Sequence, residues 1–184
     1  MGKVIVGMTV SLDGYVADEH GSAARLYPDL ADLQGSPFME AKIEETGSVL
    51  MGRHTFEMGD PDGFVGNYEF QVPIFVLTSR PPGTPPKQDD RLTFTFVTDG
   101  LESAVAQARA AAGDKAVTVV GGPGVVEELL RAGLADELCV DVMPMFLGAG
   151  LRFFGPAELE SVHLQKIDVE EIGVRTSLRY QVLG

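Results

Sequence analysis

The chain has 184 residues, of which 45% are hydrophobic and 22% charged, and this balance excludes an intrinsically disordered chain. Its 27 acidic residues outnumber 14 basic ones, giving a formal net charge of −13. Nucleic acids and anionic membranes bind basic surfaces, so the excess argues against both as partners. The length suits one hydrophobic core, and we expect residues 1–184 to form a single domain.

The single cysteine, Cys139, limits the chemistry available to the chain. One thiol allows neither an intrachain disulfide nor a cysteine-based zinc cluster, and we predict no metal site. The apolar neighbours Leu138 and Val140 indicate a buried, unreactive thiol. The apolar run after Lys3 is too short for a signal peptide, and no run reaches the length of a membrane span, so we expect a cytoplasmic protein.

Eight short runs rich in β-branched residues predict strands. They are Val4–Val10, Ser48–Met51, Ile74–Ser79, Leu92–Val97, Ala116–Val120, Glu137–Val142, Val162–Val169 and Val174–Val182. Several are almost continuously apolar, which is typical of parallel strands covered on both faces. The last two flank Glu170–Gly173 and differ from the others, and they predict an antiparallel hairpin at the end of the sheet.

Helical patterns fall between the earlier strands. They cover Ser36–Glu45, Arg53–Met58, Leu101–Ala112 and Val125–Ala132. Ser36 and Pro37 suit the start of the first helix, and Asp99 with Glu102 resembles a capping box before the third. Strands that alternate with helices predict an α/β fold with a mostly parallel sheet of about eight strands. Such sheets bind ligands where the carboxyl ends of strands meet helix N-termini.

One of these junctions is rich in glycine. The segment Gly121-Gly122-Pro123-Gly124-Val125 follows an apolar strand and opens a helix, where backbone N–H groups and the helix dipole favour a diphosphate. No Lys-Ser/Thr pair follows, which excludes a Walker A loop, and Glu127 stands where a Rossmann fingerprint needs its third glycine. The segment fits a plain glycine turn as well.

Two further strand ends carry an arginine beside hydroxyl groups. They are Gly52-Arg53-His54-Thr55 and Thr78-Ser79-Arg80. The Arg53 guanidinium suits a phosphate, with Thr55 as an additional donor. Together, Arg53 and Arg80 would favour the ribose 2′-phosphate of the phosphorylated nicotinamide cofactor. The alternative is a surface arginine paired with a carboxylate, and His54 fits a solvent-facing helix residue.

Two loops carry a functional and a structural interpretation each. Asp13-Gly14 fits a simple turn, and it also fits a loop over a nicotinamide with Asp13 facing the substrate. The apolar, glycine-rich segment Met143–Phe154 fits the wall of a pocket or a dimer interface. We interpret Gly59–Tyr68 as a variable surface loop near the rim of the site.

These motifs, in this order, resemble the dihydrofolate reductase-like superfamily over nearly the whole chain. The closer resemblance is to its riboflavin-biosynthesis branch, the C-terminal reductase domain of the bifunctional deaminase-reductase, as a stand-alone member. The segments that carry it are Ser11-Leu12-Asp13-Gly14-Tyr15, Met51-Gly52-Arg53-His54-Thr55-Phe56-Glu57, Leu77-Thr78-Ser79-Arg80, Val120-Gly121-Gly122-Pro123 and Leu147-Gly148-Ala149-Gly150. The resemblance implies a mostly parallel sheet with an antiparallel last strand, a Gly-Gly step that is often a cis peptide, and a homodimer.

The resemblance also implies an NADPH-dependent reductase that transfers a hydride to a small heterocyclic or sugar-like substrate, as 5-amino-6-(5-phosphoribosylamino)uracil reductases do. Asp13 or Glu40 would position the water that supplies the proton. The residues implied for the cofactor are Gly52, Arg53, His54, Thr55, Thr78, Ser79, Arg80, Gly121, Gly122, Pro123, Gly124 and Val125.

Two positions depart from the pattern of this superfamily. Folate-reducing members have a carboxylate about sixteen positions before the glycine of the Gly-Arg motif, and Ser36 stands there. The riboflavin branch usually has a basic residue after its Asp-Gly, where this chain has Tyr15. A dihydrofolate or pteridine reductase and a non-catalytic nucleotide-binding relative are the alternatives.

Overall fold

The computed structural model describes residues 2–155 and 159–184. The strands in these ranges are β1 Val4–Ser11, β2 Tyr15–Ala17, β3 Thr46–Gly52, β4 Ile74–Leu77, β5 Phe94–Val97, β6 Ala116–Val120, β7 Glu137–Met143, β8 Leu151–Arg152, β9 His163–Ile172 and β10 Arg175–Leu183. The helices are α1 Leu30–Leu33, α2 Pro37–Glu45, α3 Arg53–Met58, α4 Leu101–Ala112 and α5 Pro123–Arg131, with 3-10 turns at Ala24–Leu26 and Pro61–Gly63.

Eight strands form one sheet in the order β5-β4-β3-β6-β1-β7-β10-β9. The first six in this order run parallel, and β10 pairs antiparallel with both β7 and β9. The predicted mostly parallel sheet and its C-terminal hairpin are therefore confirmed. The hairpin turns at Gly173–Val174, where Gly173 has a φ of +58°, a conformation that glycine adopts without steric cost.

Some local features differ from the sequence prediction. β2 and β8 pair in a small separate sheet, and neither short strand was predicted. The capping box was wrong, because Gly100, with a φ of 112°, is the residue that precedes α4. The carboxylate of Asp99 accepts a hydrogen bond from the side chain of Ser103 at 2.8 Å instead. The Ser36 cap is confirmed, since its hydroxyl accepts from the backbone N–H of Met39 at 3.2 Å.

The two faces of the sheet are covered differently. On one face, apolar side chains of the sheet such as Leu50 and Val119 pack with Val105 of α4 and Leu129 of α5. Burial of this kind contributes roughly 25 cal/mol per Å² of apolar surface and holds these helices on the sheet. On the other face, residues of α2 and of the segment before it line a cleft together with residues of the central strands.

The loop predicted to be variable, Gly59–Tyr68, is anchored by aromatic residues. Phe64 is buried, and its ring packs against Phe56 of α3, Tyr68 and Phe94 of β5. Such aromatic pairs contribute about 0.5–1.5 kcal/mol each beyond their buried area. The loop is therefore part of the fold, and the residues that follow it reach the cleft.

Burial accounts for the state of the single thiol. Cys139 on β7 is buried, and burial raises the pKa of its thiol to about 11. The thiolate is thus scarce at neutral pH, which confirms the predicted unreactive cysteine. Within residues 2–155 and 159–184, the helices are too short and too polar to cross a lipid bilayer.

Candidate functional site

A cleft of about 940 Å³ opens at the carboxyl ends of β1, β3 and β6. Nine of the twelve residues predicted to hold the cofactor line it. They are Gly52, Arg53, His54, Thr55, Gly121, Gly122, Pro123, Gly124 and Val125. The parallel register explains why they meet, because β6 lies between β3 and β1 and all three strands end at the same edge of the sheet.

The ends of β3 and β6 are adjacent, and their glycines leave little room for a side chain. The N–H of Gly52 donates to the carbonyl of Gly121, with 3.4 Å between the nitrogen and the oxygen. A Cβ on Gly52 would lie 3.0 Å from Val125 Cγ2, and one on Gly121 would lie 3.1 Å from Thr55 Oγ1. Gly121 also has a φ of +57°, and the Gly121–Gly122 peptide is cis, as the resemblance implied.

A second, smaller cavity of about 300 Å³ adjoins the first at Arg53. Thr78 and Arg80 line it, whereas Ser79 lines neither cavity. The Thr78 hydroxyl holds the turn, because it accepts from the N–H of Arg80 at 3.1 Å and donates to the carbonyl of that residue at 2.9 Å. The Arg53 guanidinium donates to Glu57 at 2.6 Å, and both side chains are exposed. Arg53 is therefore a surface arginine paired with a carboxylate, and it also lines both cavities.

These residues fit a phosphate-bearing dinucleotide. The nine-residue helix α5 has no acidic residue in its first turn, and Gly122 precedes it, so its N-terminus presents the positive end of the helix dipole to the cleft. An added Cβ on Gly124 would meet no atom within 4 Å, which leaves room for a ligand beside its backbone. Two guanidinium groups, those of Arg53 and Arg80, border the adjoining cavity.

The two residues predicted to supply the proton path, Asp13 and Glu40, do not line the cleft. Glu40 is exposed on α2, on the side of the helix opposite Phe38, because two residues turn an α-helix by about 200°. The Asp13 carboxylate accepts hydrogen bonds from Ser11 Oγ at 2.6 Å and from the N–H groups of Leu147 and Gly148 at 3.1 and 2.8 Å. Asp13 therefore faces the loop before β8 rather than the substrate, and the geometry favours neither residue as the proton source.

The hydrogen bonds to Asp13 predict a pH-dependent contribution to stability. The Ser11 hydroxyl and the two loop N–H groups lower the Asp13 pKa from 3.8 to about 2. A depressed carboxyl pKa stabilises the folded state above the ordinary pKa, and that contribution is lost as the pH falls through the folded value. We expect Asp13→Asn to lower the Tm at pH 7 and to lower it progressively less as the pH approaches 2.

Thermal denaturation at a series of pH values measures this effect. Asp90→Asn is the control, because Asp90 is exposed, and we expect it to leave the Tm unchanged across the series. A difference between wild type and Asp13→Asn that stays constant from pH 7 to pH 2.5 would contradict the assignment.

The far end of the cleft contains ionisable residues that the sequence analysis did not single out. Seven of them line it, namely Tyr27, Lys42, Glu45, Glu69, Asp141, Arg175 and Arg179. Burial raises the pKa of both Tyr27 and Glu69. One signal was available in the sequence: Phe38, Lys42 and Glu45 share one face of α2 at helical spacing. Asp141 on β7 and Arg175 on β10 reach the cleft through the pairing of β7 with β1 and of β10 with β7, which the sequence did not specify.

Comparison with known proteins agrees with this architecture. The fold is that of dihydrofolate reductase-like α/β proteins. Residues 2–178 match the family described as the RibD C-terminal domain, and the chain belongs to that family. Among curated proteins, it is 26% identical to the uncharacterized protein YwjB of Bacillus subtilis over 178 residues, which is 97% of each chain.

Solved structures of several bacterial proteins share the fold. A protein of Shewanella sp. PV-4 named for riboflavin biosynthesis is 26% identical, with a TM-score of 0.77 and 99% of both chains covered. A diaminohydroxyphosphoribosylaminopyrimidine deaminase/5-amino-6-(5-phosphoribosylamino)uracil reductase of Thermotoga maritima is 16% identical, with a TM-score of 0.73 over 99% of this chain and 57% of the other. Dihydrofolate reductase of Enterococcus faecalis, complexed with NADP(H), is 19% identical, with a TM-score of 0.65 over 98% and 96%.

Proposed function

We propose that the protein is an NADPH-dependent reductase that transfers a hydride to a small heterocyclic or sugar-like substrate. The observation that carries the proposal is the convergence of Gly52 and Gly121 at a cleft bordered by the N-terminus of α5 and by Arg53. Membership of the RibD C-terminal domain family supports a reductase of the riboflavin-pathway type. The Enterococcus faecalis neighbour, complexed with NADP(H), supports the choice of cofactor.

Different residues along the cleft would bind the cofactor and the substrate. When bound, NADPH supplies the hydride. The backbone at Gly122 and the start of α5 would hold its diphosphate, and Arg53 and Arg80 would hold the 2′-phosphate through paired hydrogen bonds. The far end of the cleft, beyond Gly121, would receive the substrate. Lys42 and Glu69 line the cleft, whereas Asp13 and Glu40 do not. We therefore propose Lys42 and Glu69 as the side chains nearest to the route by which a proton reaches the substrate.

The position of Ser36 argues against a folate substrate. Its hydroxyl caps α2 by accepting from Met39, so no carboxylate occupies the position where folate-reducing relatives hold one. Capping of this kind contributes about 1 kcal/mol to a helix, which gives Ser36 a structural role. We therefore favour a substrate that is not a folate. If the protein reduces no acceptor, the remaining alternative is a non-catalytic nucleotide-binding protein.

Pairing of two copies is a further part of the proposal. Two large apolar side chains of the segment Met143–Phe154 are exposed, Phe146 at 68% and Leu151 at 52%, whereas Met143 and Phe153 are buried inside the protomer. A second copy of the chain would cover them. We also propose that residues 1–184 work as one domain in the cytoplasm, with a small molecule rather than nucleic acid or a membrane as partner, as the composition predicts.

The test of the proposed function is a fluorescence titration with NADPH and NADH. We expect wild type to bind NADPH at micromolar to sub-millimolar concentration and to prefer it to NADH. Arg80→Ser should weaken NADPH binding about tenfold, because a hydrogen-bonded charge contributes about 1.5–3 kcal/mol, and it should leave NADH binding unchanged. Oxidation of NADPH with a panel of carbonyl and imine compounds then identifies the acceptor class.

Arg91→Ser is the matched control for this titration. Arg91 is exposed and lies outside both cavities, so its replacement should change neither affinity. Absence of NADPH binding below 1 mM would end the proposal. Equal loss of NADPH and NADH affinity in Arg80→Ser would remove Arg80 from the 2′-phosphate site.

A further inference from the structure

The face of α2 that looks onto the sheet presents an ammonium group at a fixed position. Lys42 Nζ donates to Asp141 Oδ2 at 3.0 Å and lies 4.2 Å from the centre of the Phe38 ring. These two contacts fix the position of the Lys42 ammonium group. Lys42 keeps 31% of its side chain exposed and lines the cleft. An ammonium has three N–H donors, so at least one more remains for a molecule in the cleft.

Asp141 is held from the opposite side by β10. The hydroxyl of Ser177 donates to Asp141 Oδ1 at 2.6 Å, and the Asp141 side chain is only 11% exposed. Each carboxylate oxygen accepts about two hydrogen bonds. With one oxygen engaged by Ser177 and the other by Lys42, each retains capacity for one more donor. Lys42 and Asp141 therefore present a donor and an acceptor side by side.

The other cations at this end of the cleft are neutralised by the protein itself. Arg175 donates twice to Asp29, at 2.8 and 2.6 Å. Arg179 donates to Glu45 and to Glu137, both at 2.6 Å. A phosphate that took these cations would leave buried carboxylates without their partners, which is costly, whereas the pair of Arg53 at the other end of the cleft is exposed and exchanges at little cost. Tyr15, where the riboflavin branch has a basic residue, stacks on Arg152 at 4.7 Å from its ring centre, and neither residue lines the cleft.

Apolar side chains also line the cleft that contains this donor–acceptor pair. They are Ile5, Leu30, Leu33, Phe38, Met39 and Phe70. Pockets for small molecules typically combine apolar lining with a few convergent polar groups that fix the orientation of the ligand. A ring lactam, in which a carbonyl stands beside an N–H, complements Lys42 and Asp141 directly.

We propose that the substrate of this protein is an uncharged planar heterocycle with a ring lactam, recognised by Lys42 at its carbonyl oxygen and by Asp141 at its N–H, and that the cleft has no subsite for a phosphoribosyl group. This inference rests on the proposed function for the reaction, and it concerns only the substrate end of the same cleft. It gives Lys42 and Asp141 the role of specificity-determining residues.

Two pyrimidines that differ in one group provide the probes. They are 5,6-diaminouracil, which is uncharged, and 5-amino-6-(5-phosphoribosylamino)uracil. Each is titrated calorimetrically into the wild-type protein saturated with NADP⁺, which occupies the cofactor end without turnover. We expect both to bind with dissociation constants within tenfold of each other. A phosphoribosyl derivative that binds more than tenfold more tightly would overturn the proposal, and so would the failure of both pyrimidines to bind.

Variants at position 42 test the named contact. Lys42→Met should weaken binding of 5,6-diaminouracil at least tenfold, because a hydrogen bond to a charged group contributes about 1.5–3 kcal/mol. Lys42→Arg keeps a cationic donor and should recover most of that affinity. Lys115→Met is the matched control, since Lys115 is exposed in the turn that precedes β6. Equal binding by Lys42→Met and Lys115→Met would exclude Lys42 as the contact.

The controls separate this inference from the proposed function. Affinity for NADP⁺ should be the same in all four proteins, and a thermal melt confirms that each variant is folded. If wild type fails to bind NADP⁺, the proposed function fails, and the pyrimidine titrations on the free protein still decide the inference about the substrate end. Loss of pyrimidine affinity in Lys42→Met without recovery in Lys42→Arg would count against a hydrogen-bonding role.

Discussion

Gly121→Ala is expected to lower the affinity for NADPH at least tenfold. The backbone of Gly121 has a φ of +57°, and a residue with a Cβ pays about 1–2 kcal/mol to adopt it. The added methyl would also lie 3.1 Å from Thr55 Oγ1 and 3.5 Å from Met8 Sδ. Relief of that contact moves Thr55 or the backbone that borders the proposed diphosphate site. A tenfold loss corresponds to about 1.4 kcal/mol.

Gly133→Ala is the matched control for this prediction. Gly133 follows α5 with a φ of +65°, and a Cβ there would meet no atom within 4 Å. The two variants therefore carry the same kind of backbone strain, and only Gly121→Ala adds a steric contact in the cleft. Fluorescence titration with NADPH and thermal denaturation of both variants separate binding from stability. If both variants bind NADPH as tightly as wild type, the backbone at Gly121 does not border the cofactor.

The fold was predictable because its strands are short apolar runs that differ in composition from their surroundings. The central strands are buried on both faces, and runs such as Ile74–Leu77 report that burial directly. The small sheet of β2 and β8 left no comparable pattern. It has strands of three and two residues, and backbone pairing of distant segments, such as Phe153 N–H to the Gly14 carbonyl at 2.9 Å, holds it in place.

The two ends of the cleft differ in how far the sequence predicts them. Glycine and arginine at strand ends are local motifs, and the parallel topology brings the strand ends together. The Lys42–Asp141–Ser177 contacts depend on strand register, because Asp141 pairs with Ser177 across antiparallel strands. Register is fixed by packing over the whole sheet. No single segment of the sequence carried this information, and helical spacing on α2 was the one local signal for Lys42.

Arg175→Leu is expected to destabilise the protein by about 3–5 kcal/mol, because removal of one partner strands the other charge of a buried pair. The Arg175 side chain is 1% exposed, and that of Asp29 is 12% exposed. Arg175 also donates to Thr9 Oγ1 at 3.3 Å, so its loss leaves two polar groups without this donor. Urea denaturation at pH 7 measures the change. Arg53→Leu, which removes an exposed pair with Glu57, should cost no more than about 1 kcal/mol.

The pH dependence of this loss distinguishes the ion pair from simple packing. Hydrogen bonds from Arg175 lower the Asp29 pKa below 3.8. A depressed carboxyl pKa makes the contribution of the pair complete above pH 3.8 and removes it as the pH falls through the folded value. The difference in unfolding free energy between wild type and Arg175→Leu should therefore be constant from pH 7 to about pH 5 and shrink below pH 4. A difference that persists unchanged at pH 3 would mean that the guanidinium stabilises the fold by filling space, since packing does not titrate.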